Sequence, residues 1–426
     1  MPASSLLSTE TYYRATAGAA THAPLIGRLD TRICIIGGGF AGLATALSLI
    51  EQGETNVTVL EAERVGHGAS GRNGGFVFGG FSLGEADLID TVGMERARQL
   101  YQLTLDGVAT IRRRIATHRI ECDANDAGIY LANWFDDARV LDARQRVMDS
   151  LGVQWHRLTR QELAHQLHSA RYFGALFEPN AFHFHPLKYA QGVAKAIVAG
   201  GARVCEHSRA LQIAPHGSSW RIVTAQGEIH AEQVVICCGG YLERLYPKLA
   251  TAVLPIATYV MVTTPLGAQM QNAMQTQAAV YDTRFAFDYY RPLPDTRLLW
   301  GGRISIRERN PSALARLLHA DLCKVYPQLA SAGVDYAWSG MMSYGRHQMP
   351  QLGRLPEGLW YGMGFGGHGV GPTTLAGEVL ARGILGEVAS LQRFAPWGLP
   401  PVGGVAGLLA AQLTYWYYEL RDWLRE

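Results

Sequence analysis

Residues 32–36 (RICII) are apolar after the first position, and so short an unbroken run suits a strand buried on both faces. From Leu43 to Gln52 the apolar residues follow helical spacing until Gly53 stops the run, and residues 56–60 (NVTVL) read as a second strand closed by Glu61. Strand, helix and strand within about 30 residues predict a βαβ unit. A glycine-dense stretch covers 66–80, a long amphipathic helix is predicted over 93–118, and 121–167 mix patterns, with a short strand at 128–131. His185-Pro186 opens another helix through Tyr189 to Ile197. Residues 202–205 and 233–237 read as strands, the second running into Gly239-Gly240. Residues 253–305 alternate and are rich in Val, Thr and Tyr, as in an antiparallel sheet. A last apolar strand at 359–363 enters the glycine loop 364–369, ahead of a helix at 373–384. The tail, 402–424, carries Trp416, Tyr417, Tyr418 and Trp423. It reads either as a helix packed on the body or as a peripheral membrane or oligomer contact.

A chain of 426 residues is too long for one ordinary core and predicts two domains. Lys plus Arg is 38 against 36 for Asp plus Glu, a balance that argues against a nucleic-acid partner. The six cysteines form no CxxC pair, so they read as reduced packing residues, with no metal site expected. The first 30 residues lack the apolar core of an export signal, and a cytoplasmic location is expected.

The 48 glycines change the picture, because they cluster. Gly37, Gly39 and Gly42 stand between a strand and a helix, and Glu61 ends the next strand about 20 residues on. That is the dinucleotide fingerprint in its full context. Gly37 permits the tight turn, Gly39 lets backbone touch pyrophosphate, and Gly42 lets helix and strand pack closely. Phe40 and Ala41 begin the helix whose N-terminus faces the anion, and Glu61, with Ala62 beside it, accepts the ribose hydroxyls.

The segments GGGFAGLATAL, LEAERVGHGASGRNGG, FHFHPLKYAQG, VVICCGGYLERLYP, DYYRPLPDTRLLWGG and GFGGHGVGPTTLAGEVLARG together span residues 31–390. In them the chain resembles the D-amino-acid oxidase/sarcosine oxidase (glycine oxidase-like) family of FAD enzymes, and within it the polyamine-oxidising branch. The resemblance implies an α/β fold: a Rossmann-like FAD domain of glutathione reductase type with a second, antiparallel-sheet substrate domain. The expected division is 1–90, 170–250 and 336–395 for FAD, 91–169 and 251–335 for substrate, and 396–426 as an aromatic tail.

It also implies roles. Gly68, Ala69, Ser70, Gly74 and Gly75 would set small residues and backbone N–H groups against flavin and pyrophosphate, with Asn73 at the ring edge. Arg72 would pair with phosphate or hold the loop. Val204 would meet adenine through its backbone or serve as an ordinary core residue, and Gly239 would let its loop approach the pyrophosphate. Gly367, His368, Gly369 and Val370 would bring a helix N-terminus to the flavin ring, His368 touching the ring or bonding to backbone. The implied chemistry is hydride loss from an amine to flavin, then imine hydrolysis, with O2 reduced to H2O2.

The departures from the family bear on substrate. Where glycine oxidase-like members grip the substrate carboxylate with arginine, this chain has Met342; where sarcosine oxidases place a lysine after the GHG sequence, it has Val370 and then Gly371. Sarcosine oxidases also bond flavin to a cysteine near the former position; the only cysteine after Cys238 here is Cys323, which reads as a packing residue on a helix, so FAD is expected to bind non-covalently, with Cys323 the one residue placed to contradict this. A carboxylate buried without a cation is costly, so the expected substrate is an amine without one beside the reacting carbon, such as a gamma-glutamylated polyamine. Arg346 or Arg291 as the missing cation keeps a cyclic or N-alkyl amino acid (pipecolate, proline or sarcosine type) open. A non-catalytic FAD-binding subunit is the reading from another class. Tyr289, Tyr290 and Trp338 are candidate pocket walls, Tyr290 also a candidate catalytic group, and Asp288 a candidate for drawing in the ammonium. His185 reads as structural.

Overall fold

The computed structural model describes residues 7–8 and 10–426. Gly27–Ile36 lies at the centre of the first large sheet. Val57–Leu60 and then Arg203–Cys205 run parallel to it on one side, and Gly227–Ile236 and Trp360–Met363 on the other. The four residues from Ile33 to Ile36 and all of Val57–Leu60 are buried, as an apolar run in a two-sided parallel sheet requires. Gln351–Arg354 closes one edge antiparallel, while Gln212–His216 and Ser219–Val223 form an antiparallel flap on Gly227–Ile236.

Two helices matter most to the site. Phe40–Glu51 follows the first strand through the loop 37–39, and Val370–Ile384 follows Trp360–Met363 through 364–369. Each begins at the C-terminal end of a parallel strand, so both N-termini open at the same edge of the sheet. The helices touch where a Cβ on Gly377 would lie 2.5 Å from the carbonyl carbon of Ala44.

The second sheet runs in the order Val334–Tyr344, Leu254–Thr263, Leu298–Ser305, Tyr289–Pro292, Ala279–Asp282, Ile129–Ala132, Ala175–Glu178, His156–Leu158. Its pairs are antiparallel except Ala279–Asp282 with Ile129–Ala132. Ala175–Glu178 and Val334–Tyr344 thus belong to this sheet, although the sequence division grouped 170–250 and 336–395 with the nucleotide part. Local pattern marks a strand but not the partner it pairs with. The mixed stretch 121–167 holds the helices Ala138–Ser150 and Arg160–Gln166, the latter opened by a Thr159–Glu162 capping box.

The C-terminal helix, Gly404–Trp423, packs one face on the second sheet. Gln412 Oε1 accepts from the Ile306 N–H at 3.1 Å, Asp422 Oδ2 accepts from the Phe285 N–H at 2.7 Å, and Glu419 pairs with Arg303. Its other face exposes Leu413, Trp416, Leu420 and Trp423. Among the described residues no helix is long and apolar enough to cross a membrane.

Candidate active site

A cavity of about 1070 Å³ runs from the glycine loops of the first sheet to the face of the second. Its first end is built by the fingerprint. Gly37 has φ +116°, and a Cβ there would lie 2.6 Å from the Cys237 carbonyl oxygen. A Cβ on Gly42 would meet the Gly37 carbonyl oxygen at 2.0 Å, so the helix can approach the strand only as glycine. Gly39 caps the helix Phe40–Glu51 without a side chain. The Phe40 N–H donates to Ser70 Oγ at 2.8 Å. Glu61 Oε2 accepts from the Gly38 N–H at 2.7 Å and Oε1 from the Glu63 N–H at 2.9 Å. Burial pushes the Glu61 carboxyl up, and these two donors oppose the shift.

Gly37, Gly39, Phe40, Ala41, Glu61, Ala62, Gly68, Ala69, Ser70, Arg72, Asn73, Gly74, Gly239, Gly367, His368, Gly369 and Val370 all line the cavity. Gly42 and Gly75 stand behind it: a Cβ on Gly75, φ +79°, would lie 2.1 Å from the Phe184 carbonyl oxygen. Val204 is not in the wall. It is a buried sheet residue opposite Val59, and Arg209, Ala210 and Leu211 line that end instead.

Two loop residues hold the loop itself. Asn73 Nδ2 donates to the Ala69 and Ser70 carbonyls, and its Oδ1 accepts from the Gly75 N–H, so the amide is engaged on both sides rather than turned to a ring edge. Arg72 Nε donates to the His67 carbonyl at 2.8 Å and Nη1 to the Ser339 carbonyl at 3.1 Å, so the side chain braces the loop while it lines the cavity. Beneath them Arg291, fully buried, donates from Nε to the Gly74 carbonyl at 2.6 Å and from Nη2 to the Phe184 carbonyl at 2.9 Å. Its guanidinium carries the glycine loop and is not placed to grip a substrate.

The second glycine loop, 364–369, is tied down by the Gly366 N–H to the Ser343 carbonyl at 2.7 Å. Val370–Ile384 starts at Gly369 with no side-chain cap. His368 packs on Phe78, centroids 4.1 Å apart, and its Nε2 is buried with no partner among the described residues. Burial lowers its pKa, keeping the imidazole neutral.

Of the expected substrate-side residues, Tyr289, Met342 and Arg346 line the cavity. Tyr290 faces the other way, as strand alternation demands. It stacks on Trp300 at 4.4 Å and bonds Tyr172 and Tyr326, a core residue and not a catalytic one. Asp288 is buried against Arg284 behind Gly302, outside the cavity wall. Trp338 donates from Nε1 to the Arg72 carbonyl at 2.9 Å and so braces the loop instead of forming a pocket wall. Cys323 sits on Pro311–Val325 beside His319, away from the cavity. His185 caps the helix Pro186–Ala199 through Nδ1.

The sequence reading missed several wall residues. Glu85 and Arg144 form an ion pair on the wall, with Tyr281 and Phe78 beside them. A Cβ on Gly80 would lie 2.9 Å from Glu85 Oε1 and 3.6 Å from His368 Cε1, so the pair adjoins the histidine. Behind it burial lifts the Glu178 carboxyl to about 8, against the pull of Arg144. Gln412 and Tyr415 of the C-terminal helix also line the cavity. No local spacing could have signalled these, because they come from segments far apart in the chain.

The model of the family described as FAD dependent oxidoreductase (DAO) matches residues 32–382. The chain belongs to this family. It is 35% identical over 97% of its length to the gamma-glutamylputrescine oxidoreductase of Escherichia coli, covering 98% of that protein. It is 32% identical over 92% of its length to the probable oxidoreductase OrdL of Haemophilus influenzae, covering 91% of it. Among solved structures, glycine oxidase from Geobacillus kaustophilus superposes with a TM-score of 0.71 at 21% identity, over 87% of this chain and 98% of that one. The member described here is an FAD-dependent oxidoreductase whose Rossmann-like part supplies the glycine cradle. Cβ atoms at Gly37, Gly39 and Gly74 would press into Cys237, Ser70 and Tyr289, which line the same cavity, so the close packing of that cradle requires glycine.

Proposed function

We propose that this chain oxidises the C–N bond of an amine that bears no carboxylate beside the reacting carbon, gamma-glutamylputrescine or a related polyamine derivative being the substrate. The observation that carries the reading is the state of the arginines around the cavity. Arg291 is spent on carbonyls, Arg144 pairs with Glu85, Arg284 with Asp282 and Asp288, and Arg303 with Asp321 and Glu419. Met342 occupies the position where an acid-gripping relative has arginine. Arg209 pairs with Glu63 and Glu243, and Arg244 and Arg346, which also line the cavity, are exposed rather than set in a buried pocket. The near full-length likeness to gamma-glutamylputrescine oxidoreductase supports the same choice.

FAD, when bound, would supply a two-electron acceptor for the hydrogen on the carbon beside nitrogen, with O2 as the final acceptor and H2O2 as its product. The amine becomes an imine, which water hydrolyses to an aldehyde and ammonia. The chain's own residues prepare this. Tyr289 and Met342 give the methylene chain an apolar wall. His368, its Nε2 buried without a partner among the described residues and its ring kept neutral by burial, offers the substrate nitrogen a hydrogen-bond partner. The uncapped start of Val370–Ile384 presents backbone N–H groups that stabilise negative charge on two-electron reduction. The cofactor is held non-covalently; Cys237 and Cys238, the cysteines in the wall, are thiols that burial raises far above neutrality. The reaction belongs in the cytoplasm, where the six free thiols stay reduced.

The test is anaerobic titration of the yellow holoprotein. Gamma-glutamylputrescine bleaches the flavin band, while pipecolate, proline and sarcosine leave it. Bleaching by an amino acid with the polyamine derivative inert would overturn the reading, and no bleaching by any amine would favour a non-catalytic subunit.

A further inference from the structure

The family model ends at residue 382, and Gly404–Trp423 lies wholly beyond it. The helix nevertheless helps to build the cavity. Its inner face is fixed by directional contacts at its middle and at its C-terminal end. Gln412 Oε1 accepts from the Ile306 N–H at 3.1 Å, and Asp422 accepts from the Phe285 N–H at 2.7 Å. Between these anchors Glu419 pairs with Arg303 and Tyr418 stacks on Phe285 at 4.4 Å. So held, Ala411, Gln412, Thr414 and Tyr415 complete the wall facing Ile304 and Ser305 of the second sheet.

Tyr415 stands out in this wall. It is 5% exposed, yet its hydroxyl, near the backbone of Ile304, has no partner in hydrogen-bond geometry. Gln412 uses its oxygen to hold the sheet, and its Nε2 makes no hydrogen bond among the described residues. A buried hydroxyl without a partner costs stability, and one in a cavity wall finds its partner in a ligand. Both groups are donors. Both lie on the second-sheet side of the cavity, away from the pyrophosphate loops.

We propose that the C-terminal helix is the specificity element for the far, non-reacting end of the substrate, with Tyr415 and Gln412 donating to an acyl oxygen. The substrate class is an N-acylated diamine: the free amine enters toward the flavin and the acyl end stays under the helix. This rests on the amine-oxidase reading above and adds the basis for preferring an acylated diamine over a bare one.

The test separates the two. Gamma-glutamyl-n-butylamide has the acyl end but no amine to oxidise, so its binding to holoprotein is read by perturbation of the flavin spectrum without turnover. Tyr415→Phe binds it about tenfold more weakly than the unmodified protein, the loss of one donor to a polar acceptor. The same variant melts no lower, because it deletes an unpartnered buried hydroxyl. Leu413→Ser, on the exposed face of the same helix, binds it as the unmodified protein does. In the bleaching assay the preference for gamma-glutamylputrescine over putrescine falls about tenfold in Tyr415→Phe. Equal binding of the butylamide by both proteins, or binding by neither, would overturn the helix assignment. Failure of gamma-glutamylputrescine to bleach the unmodified protein, with butylamide binding still sensitive to Tyr415, would overturn the substrate reading and leave the helix assignment standing.

Discussion

At the scale of single residues, the site depends on atoms that are absent. The missing Cβ of Gly42 leaves room for the Gly37 carbonyl, 2.0 Å from where that carbon would sit. Gly42→Ala forces helix and strand apart and costs about 1–3 kcal/mol, as overpacking generally does. The expected result is protein that melts several degrees lower and purifies with a smaller ratio of flavin to protein absorbance. An unchanged ratio would mean that the close approach is not needed for cofactor binding. The fingerprint was legible because each of its residues acts locally. Tyr289 and Tyr290 were not separable by composition: neighbours on one strand, they face opposite sides, and only the sheet's orientation says which side is the cavity. Asn73 and Arg72 show a further limit. Their types suit a cofactor contact, and only the folded structure shows that the Asn73 amide is taken up by the loop and that Arg72 ties the loop to Ser339.

Helices were read from sequence more surely than strand partners. Apolar spacing and glycine stops located Phe40–Glu51, Met94–Thr117 and Val370–Ile384. The pairing of Ala175–Glu178 with Ile129–Ala132 depends on chain reversal over a long stretch and leaves no local mark. The start of Pro186–Ala199 carries a pH-dependent consequence. His185 Nδ1 accepts from the Lys188 N–H at 3.1 Å, so Nε2 holds the proton and faces Thr16 Oγ1 at 3.0 Å. Burial first, then the Lys188 and Arg291 charges, lowers its pKa to about 3. A base depressed in the folded state adds stability that is present above its unfolded pKa, about 6.5, and is lost as pH falls toward the folded value. His185→Asn keeps an acceptor at the cap but does not titrate. Its melting temperature should therefore fall less than that of the unmodified protein between pH 7 and pH 5, by roughly 1–2 kcal/mol in stability. Parallel acid limbs in the two melting curves would refute the cap argument.

At the scale of the whole molecule, the cavity lies where the two sheets meet, beside the braces that Arg72, Trp338 and Arg291 make between them. Its walls come from both ends of the chain, from Ile36 to Tyr415. That breadth is why the cofactor end was readable from motifs and the substrate end was not. A loop that cradles phosphate carries its own signature, whereas a wall assembled from a strand edge, a buried ion pair and a distant helix does not. A ligand that bridges both sheets should stabilise their union. Protein stripped of FAD is expected to melt lower, and adding FAD at about 100 times its dissociation constant should restore about 2.7 kcal/mol. Scanning calorimetry of apo- and reconstituted protein checks this; equal melting temperatures would show that the flavin does not couple the two parts.

The contact between Gly377 and Ala44 bears on how the nucleotide is gripped. With only the Ala44 methyl between them, the helix starting at the fingerprint and the helix starting at the GHG loop behave as meshed gears. Neither start can retreat without dragging the other. A single methyl at position 377, remote from both loops, would slacken the hold on diphosphate and ring together.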